Sequence, residues 1–298
     1  MQRPPKFSIV TPSFNQAAFI EEALLSVKSQ NYPDVEHIVI DGASSDGTVE
    51  ILKRFSSQPG WEHLHWVSEP DRGQSDALNK GFQMATGSIV GWLNSDERYR
   101  PECLQEAVAA FSEHTAVDVI YGDYTWIDET GRVFQVRRET EFNYFVLLYH
   151  RVLHIHTPAT FFRGRIFAEG NLLDVRLQHS MDYEFFLRLV QMGYRFKHIP
   201  KLLADFRWHP ESKSASQVRE IFLARDRVVN AYSPILRNLR EGFSRKLVLG
   251  GLRTVAAALR YSEKLLRGYY FEQFHSGTSV TDPRRECESG DARQSSGR

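Results

Sequence analysis

The stretch WLNSDE, Trp92 to Glu97, closes an apolar run that begins at Ser88-Ile89-Val90-Gly91 and leads into Arg98-Tyr99-Arg100-Pro101 and a helical pattern. A run that stops on Asn94-Ser95-Asp96 is either a strand leaving a sheet by a polar turn or a strand delivering a carboxylate-bearing loop to a ligand. The rhythm on both sides of it decides the fold.

Strand-like runs recur at Phe7 to Thr11, Glu36 to Asp41, Leu64 to Ser68, Ser88 to Leu93 and Val117 to Tyr121. Helical spacing fills the gaps. Phe19, Ala23, Leu24 and Val27 share a face in Ala18 to Ser29, Val49, Leu52 and Phe55 do so in Thr48 to Phe55, and Pro101 opens a helix through Leu104 and Val108. Strand–helix alternation of this length predicts an α/β fold with a mostly parallel central sheet flanked by helices. After Tyr124 the rhythm becomes mixed. A hairpin is expected over Thr125 to Val136, a strand over His156 to Phe162, a helix over Met181 to Gln191 and a last strand over Leu202 to Trp208. From Ser216 the chain reads as helical and locally basic. In Lys246 to Arg267, Val248, Leu252, Val255, Leu259 and Leu266 form one face, with Lys246, Arg253, Arg260, Lys264 and Arg267 opposite. The polar stretch Ser276 to Arg298 is expected to be disordered.

Bulk chemistry narrows the function classes. The chain of 298 residues balances 37 basic against 37 acidic side chains, so no global nucleic-acid footprint is expected. Cys103 and Cys287 lie far apart without metal spacing, which argues against a disulfide framework and a cysteine zinc site. Neither a signal-peptide core nor a spanning apolar stretch is read, and a cytoplasmic protein is the expectation.

Ligands of open parallel sheets bind beyond the carboxyl ends of the strands, near the topological switch point. Here those ends carry Thr11-Pro12-Ser13-Phe14-Asn15, Asp41 to Thr48, Ser68-Glu69-Pro70-Asp71-Arg72-Gly73 and Asn94-Ser95-Asp96. Each alone is an ordinary turn; four on one edge point to a nucleotide or phosphate site. No G-x-G-x-x-G follows the first strand and no G-x-x-x-x-G-K-[ST] occurs, so phosphate charge must be met otherwise, and a carboxylate-held divalent cation is the obvious device.

In order and spacing, Pro12-Ser13-Phe14-Asn15, Asp41 to Thr48, Asp71-Arg72-Gly73 and Asn94-Ser95-Asp96 resemble family 2 glycosyltransferases of GT-A fold, whose sheet is Rossmann-like. The resemblance runs from about Lys6 to Ser214. It continues in His156 to Phe162, Met181-Asp182-Tyr183-Glu184 and Phe206 to Lys213, a set similar to the branch acting in bacterial surface-polysaccharide assembly. It implies a domain over 1–215, divided near 124 into a nucleotide-sugar half and an acceptor half, followed by a basic helical extension over 216–275.

The resemblance also implies roles. Pro12, Ser13 and Asn15 belong to the loop around the nucleotide. Asp41 accepts a hydrogen bond from the base, or bonds the Ser44-Ser45 turn. Asp71 and Arg72 reach the ribose and diphosphate, or form a simple turn. Asn94 and Ser95 stand beside the donor, and Asp96 matches the last Asp of the D-x-D metal motif, holding Mn²⁺ or Mg²⁺. Asn94 departs from that motif's first Asp and brings no charge. Asp182 aligns with the catalytic base, although an Asp there also favours a helix N-terminus. His209 resembles the late histidine near the diphosphate or metal, and Arg207 could pair phosphate or satisfy a carboxylate. His154 and His156 are further candidates for acceptor contact.

The function implied is inverting transfer of a sugar from a nucleoside-diphosphate sugar to the hydroxyl of a glycan or lipid-linked acceptor. The rivals are a silent nucleotide-sugar-binding protein and a sugar-phosphate nucleotidyltransferase. The basic helix over 246–267 either packs on the domain or lies on anionic lipid at the inner face of the plasma membrane.

Overall fold

The computed structural model describes residues 4–150, 152–209, 212 and 216–269; the expected disordered tail and part of the motif from Phe206 to Lys213 lie outside them. Its centre is an α/β sheet. Strands β1 (Phe7–Ser13), β2 (Val35–Asp41), β3 (Leu64–Ser68) and β4 (Ile89–Trp92) pair in parallel in the order β3-β2-β1-β4. β1 and β4 are buried at every position, which is why their sequences read as continuous rather than alternating. Helices α1 (Ile20–Lys28), α2 (Thr48–Ser56) and α3 (Gln74–Met84) make the crossovers. The chain winds outward from β1 to β3 and then returns to β4 on its other side. The switch point therefore lies between β1 and β4, and Ser13, Asp41, Ser68 and Asn94 share one edge of the sheet.

The second half mixes directions. The short β5 (Arg98–Tyr99) and α4 (Cys103–Glu113) precede β6 (Val119–Ile127) and β7 (Val133–Arg137), the expected hairpin. Asp128 Oδ1 closes its turn by accepting from the Thr130 N–H at 2.9 Å and the Arg132 N–H at 3.0 Å. Helix α5 (Tyr144–Tyr149), β8 (Thr160–Arg163), α6 (Arg165–Ala168), α7 (Met181–Gln191) and β9 (Phe196–Arg207) follow. β8 joins the sheet antiparallel between β4 and β6, and the full path is β3-β2-β1-β4-β8-β6-β9-β5.

Two expectations change, and a third question, left open by the sequence, is answered by packing. The strand expected over His156 to Phe162 is a 3₁₀ turn, Thr157–Ala159, before β8, because Pro158 has no N–H to give a ladder. The last strand starts earlier than Leu202. It passes through Pro200 at a register shift opposite Gly122 and Asp123, so the proline sits where no ladder donor is needed. The third concerns the C-terminal helices α8 (Val218–Tyr232), α9 (Pro234–Arg237) and α10 (Phe243–Leu266). They pack against α5 and α7, and Val228, Val229, Leu236 and Ala256 join the core cluster built around Val10, Trp92, Tyr121 and Phe186.

On α10 part of the basic face points inward, while Lys246 and Arg267 stay exposed. Arg260 and Lys264 are buried on the fully buried Glu139, with N–O distances of 2.6 and 3.4 Å, and Arg253 pairs with Asp226. Phe243, Leu247, Val255, Leu259, Leu265 and Leu266 are exposed instead. Among the described residues no helix is long and apolar enough to cross a membrane.

Candidate active site

The loops at the switch-point edge are tied together by their own polar residues. Asn15 adopts a left-handed φ of 52°. Its N–H donates to Ser44 Oγ at 2.7 Å and its side-chain oxygen accepts from the Ser45 N–H at 3.0 Å. The Gln16 N–H donates to Thr48 Oγ1 at 2.9 Å. Ser95 Oγ donates to the Pro12 carbonyl at 2.9 Å, tying the end of β4 to the end of β1. Asn15 and Ser95 thus fasten the edge, and Pro12 and Ser13 line it.

These loops enclose a cleft of about 540 Å³, lined by Pro12, Ser13, Phe14, Asp71, Gln74, Asn94, Asp96, Glu97 and His209 among others. Asp71 Oδ1 accepts from the Gly73 N–H at 2.7 Å, and its carboxylate lies directly over Gly42, where a Cβ would stand 2.6 Å from Asp71 Oδ2. Across the cleft His209 Nε2 is 3.3 Å from Asp96 Oδ2, so the two candidate metal ligands converge. Asp96 and His209 offer an oxygen and an imidazole nitrogen to one point. Among the described residues no third metal-binding side chain joins them, so a cation there would complete its shell with donor oxygens and water. Asn94 cannot serve as a further oxygen ligand, since its side-chain carbonyl already accepts from Gln74 Nε2 and Trp92 Nε1, both at 2.9 Å. Its amide N–H₂ remains to donate.

Glu97, not singled out from the sequence, is buried behind Asp96. Its Oε2 accepts from the Asn94 N–H at 3.0 Å, which closes the loop, and burial followed by the Asp96 charge pushes its carboxyl well above the usual range. Asp182 begins α7 after Ser180, which is left-handed at φ 58°. Its Oδ1 accepts from the Tyr183 N–H at 2.8 Å. Burial raises its carboxyl, against the lowering effect of Arg225. The segment before α7 is latched to α3: Asn79 bonds Leu173 in both directions at 2.8 and 2.9 Å, and Gln178 packs beside Gly73. Asp182 is not among the residues lining the cleft; its charge adds to the raising of Glu97, which is.

Of five further candidates, Asp41 and Arg207 follow the second of their two readings. Asp41 is buried beneath the cleft, accepting from the Ser44 N–H at 2.9 Å, the Ser44 hydroxyl and Ser68 Oγ at 2.7 Å; the turn-bonding alternative is the one observed. Arg72 turns outward and pairs with Asp76 at 2.8 Å. Arg207 is buried and its guanidinium is committed: Nε to the Asp96 carbonyl at 2.9 Å, Nη1 to the Asp128 and Glu129 carbonyls at 3.0 Å, and Nη2 to Glu22 at 2.7 Å. It braces the Asp96 loop rather than presenting donors to phosphate. His156 packs between Tyr124 and Phe206, and burial holds both His154 and His156 down at about 3, so both are neutral. Glu97, Gln74 and Phe14 are among the lining residues missed. The signal for Gln74 was available, since Ala77, Leu78, Gly81 and Phe82 are spaced as the buried face of α3.

Comparison with known proteins agrees with this geometry. Residues 8–170 match the family described as Glycosyl transferase family 2. An uncharacterised glycosyltransferase of Mycobacterium tuberculosis is 33% identical over 190 residues, covering 63% of this chain and 70% of that protein. A PGL/p-HBAD biosynthesis glycosyltransferase of Mycobacterium bovis is 31% identical over 192 residues, covering 62% and 69%. Among solved structures, Staphylococcus aureus TarS 1–349 with UDP-GlcNAc superposes at a TM-score of 0.65 with 20% identity, over 87% of this chain and 74% of that one. The mannosyltransferase PcManGT of Pyrobaculum calidifontis with GDP-Man and Mn²⁺ superposes at 0.57 with 18% identity, over 89% and 84%. With its switch-point cleft and its sequence both pointing the same way, the chain belongs to the family 2 glycosyltransferases and carries their GT-A fold.

Proposed function

We propose that this enzyme transfers a sugar, with inversion, from a nucleoside-diphosphate sugar to an acceptor hydroxyl, and that Asp182 is the base. The observation that carries the reading is the convergence of Asp71, Asp96 and His209 on one cleft at the switch point. The Asp182 carboxylate takes the acceptor O–H proton as that oxygen bonds to the anomeric carbon. The sugar–phosphate C–O bond on the opposite face breaks, and its electron pair leaves with the diphosphate. Asp71 and the Asn94 amide orient the donor, and the exposed ring of Phe14 offers a stacking wall beside it. Asp96 and His209 would hold Mn²⁺ or Mg²⁺, which supplies positive charge to the diphosphate. Because its carboxyl is raised, Asp182 is an effective base only above that raised value, so transfer increases as pH climbs through it.

The finer reading is assembly of a cell-surface polysaccharide or glycolipid at the cytoplasmic face of the membrane, with no nucleic-acid partner. The relative named for PGL/p-HBAD biosynthesis supports a glycan or lipid-linked acceptor. The exposed apolar face of α10 supports contact with the membrane surface where such an acceptor would lie.

The test is nucleoside diphosphate release from UDP-GlcNAc, UDP-glucose and GDP-mannose, with Mn²⁺ or with chelator, alongside thermal shift. One donor is expected to raise the melting temperature and to be turned over. Asp182→Asn is expected to keep that shift and lose turnover by about 10²–10⁴-fold. Near-normal turnover in this variant would remove Asp182 from the base role. Binding without turnover in the unaltered protein would favour a silent nucleotide-sugar-binding protein, and pyrophosphate release from a nucleoside triphosphate and a sugar phosphate would favour a nucleotidyltransferase.

A further inference from the structure

Asp96 and His209 stand 113 residues apart in the chain, yet their side chains meet at 3.3 Å. What sets that meeting lies two positions from each of them. Arg98 follows Asp96 and Arg207 precedes His209, and both guanidiniums run into the turn between β6 and β7. Arg207 Nη1 donates to the Asp128 and Glu129 carbonyls at 3.0 Å, and Arg98 Nη2 donates to the Gly131 carbonyl at 2.9 Å. Gly131, at φ 82°, makes room for them, since a Cβ there would stand 3.1 Å from Arg98 Nη1. One carboxylate oxygen joins the two arginines. Glu22 Oε2, from the first turn of α1, accepts from Arg207 Nη2 at 2.7 Å and from Arg98 Nη1 at 3.1 Å.

The contacts continue to the pair itself. Arg207 Nε donates to the Asp96 carbonyl at 2.9 Å. The Phe19 ring, at the start of α1, lies 4.9 Å from the Arg207 guanidinium carbon and 4.9 Å from the His209 ring. We propose that Glu22, Arg98 and Arg207 are positioning residues: docked on the β6–β7 turn, they set the Asp96 carboxylate and the His209 imidazole at the separation that a divalent cation needs. This rests on the reading of Asp96 and His209 as metal ligands given above. A pair of ligands drawn from distant elements binds a cation well only if a surrounding shell fixes both side chains, and loss of such a shell costs about 10–100-fold in metal affinity. The turn of the acceptor half thereby becomes part of the metal site of the donor half.

The test reads Mn²⁺ binding and needs no turnover. Mn²⁺ is titrated into the protein at fixed UDP, and free Mn²⁺ is followed by its electron paramagnetic resonance signal. Arg207→Lys keeps the charge and loses the fork, and is expected to weaken Mn²⁺ binding about tenfold. Arg98→Met is expected to weaken it as well, and here the sign discriminates. Removing a cation near a metal site by charge alone would tighten binding, so a loss reads the lost position. If Arg207→Lys does not fold, Arg98→Met and Glu22→Gln, both at partly exposed side chains, carry the test. Variants that melt earlier but bind Mn²⁺ as the unaltered protein does would show a purely structural role and overturn the proposal. Asp96→Asn separates this from the reading beneath it. Mn²⁺ binding that survives Asp96→Asn, or is missing from the unaltered protein, defeats the metal assignment and the proposal with it. Binding lost in Asp96→Asn but unchanged or tighter in the arginine variants defeats the positioning role alone.

Discussion

Gly42 is the position at which one methyl group would reach the cleft. A Cβ there would come within 2.6 Å of Asp71 Oδ2 and 3.3 Å of the Phe14 ring. The Asp71 carboxylate cannot simply swing aside, since the Gly73 N–H holds its other oxygen at 2.7 Å. Gly42→Ala is therefore expected to leave the fold intact and to weaken UDP binding in the presence of Mn²⁺ about tenfold, or about 1.4 kcal/mol. Calorimetric titration measures it, and unchanged affinity would take Asp71 out of the donor site. At this scale the sequence was legible where a role depends on local chain position and opaque where it depends on a distant partner. The places of Asp96 and Asp182, after a strand and at the start of a helix, were legible; their roles come from the family resemblance. The bonds of Arg207 could not be read, because Glu22, Asp96 and Asp128 come from three separate elements. The pairing of Arg72 has a nearer partner: Asp76 stands one helical turn on, in a helix for which the sequence gave no expectation.

Among the elements, α10 shows what an amphipathic pattern contains and what it omits. Periodicity gave a helix with one apolar and one basic face, and both are present. It could not say which face packs, because that was decided by Glu139, a buried carboxylate more than a hundred residues upstream. Three basic groups, Arg260, Lys264 and Arg137, outweigh the effect of burial and hold Glu139 down at about 2. Val248 and Leu252 pack on the core, but Val255, Leu259 and Leu266 are left outward, with Phe243 82% and Leu266 87% exposed at the two ends of the helix. The consequence for membrane contact is a change of mechanism. Attraction by the basic face would require anionic lipid and would fade with salt, whereas burial of the apolar stripe depends on neither. Co-sedimentation with vesicles of neutral phosphatidylcholine is expected to capture the protein at 0.5 M salt, and Leu247→Asp with Val255→Asp is expected to release it. Binding confined to anionic vesicles and lost in salt would restore the electrostatic account, and no binding to either would leave α10 without a membrane role.

At the scale of the whole molecule the question is whether the C-terminal helices are an appendage or part of the fold. Composition suggested an appendage: the rhythm changes at Ser216 and the charge turns basic. Packing suggests the opposite, because Val228, Val229, Leu236 and Ala256 belong to the same core cluster as Val10 of β1 and Trp92 of β4. The tryptophans make this measurable. All 5 lie between Trp61 and Trp208, so their fluorescence reports the sheet, while far-UV circular dichroism also reports α8 and α10. If the helices are integral, the two urea transitions coincide, as one cooperative unit requires. Glu139→Gln should then separate them. It leaves Arg260 and Lys264 buried without a carboxylate, a loss of about 3–5 kcal/mol concentrated where α10 meets the acceptor half. The signs also fix an acid counterpart. Glu139 has an ordinary value of 4.5 and a folded value of about 2, so its stabilisation is fully present above about 4.5 and fades as pH falls toward 2. That is about 3 kcal/mol across the window by linkage. The unaltered protein should therefore lose helix signal before tryptophan signal on acidification, through the same contact that Glu139→Gln breaks at neutral pH. Two transitions already separate in the unaltered protein at pH 7 would mean that α8 and α10 fold apart from the sheet, and the shared core would not be one cooperative unit.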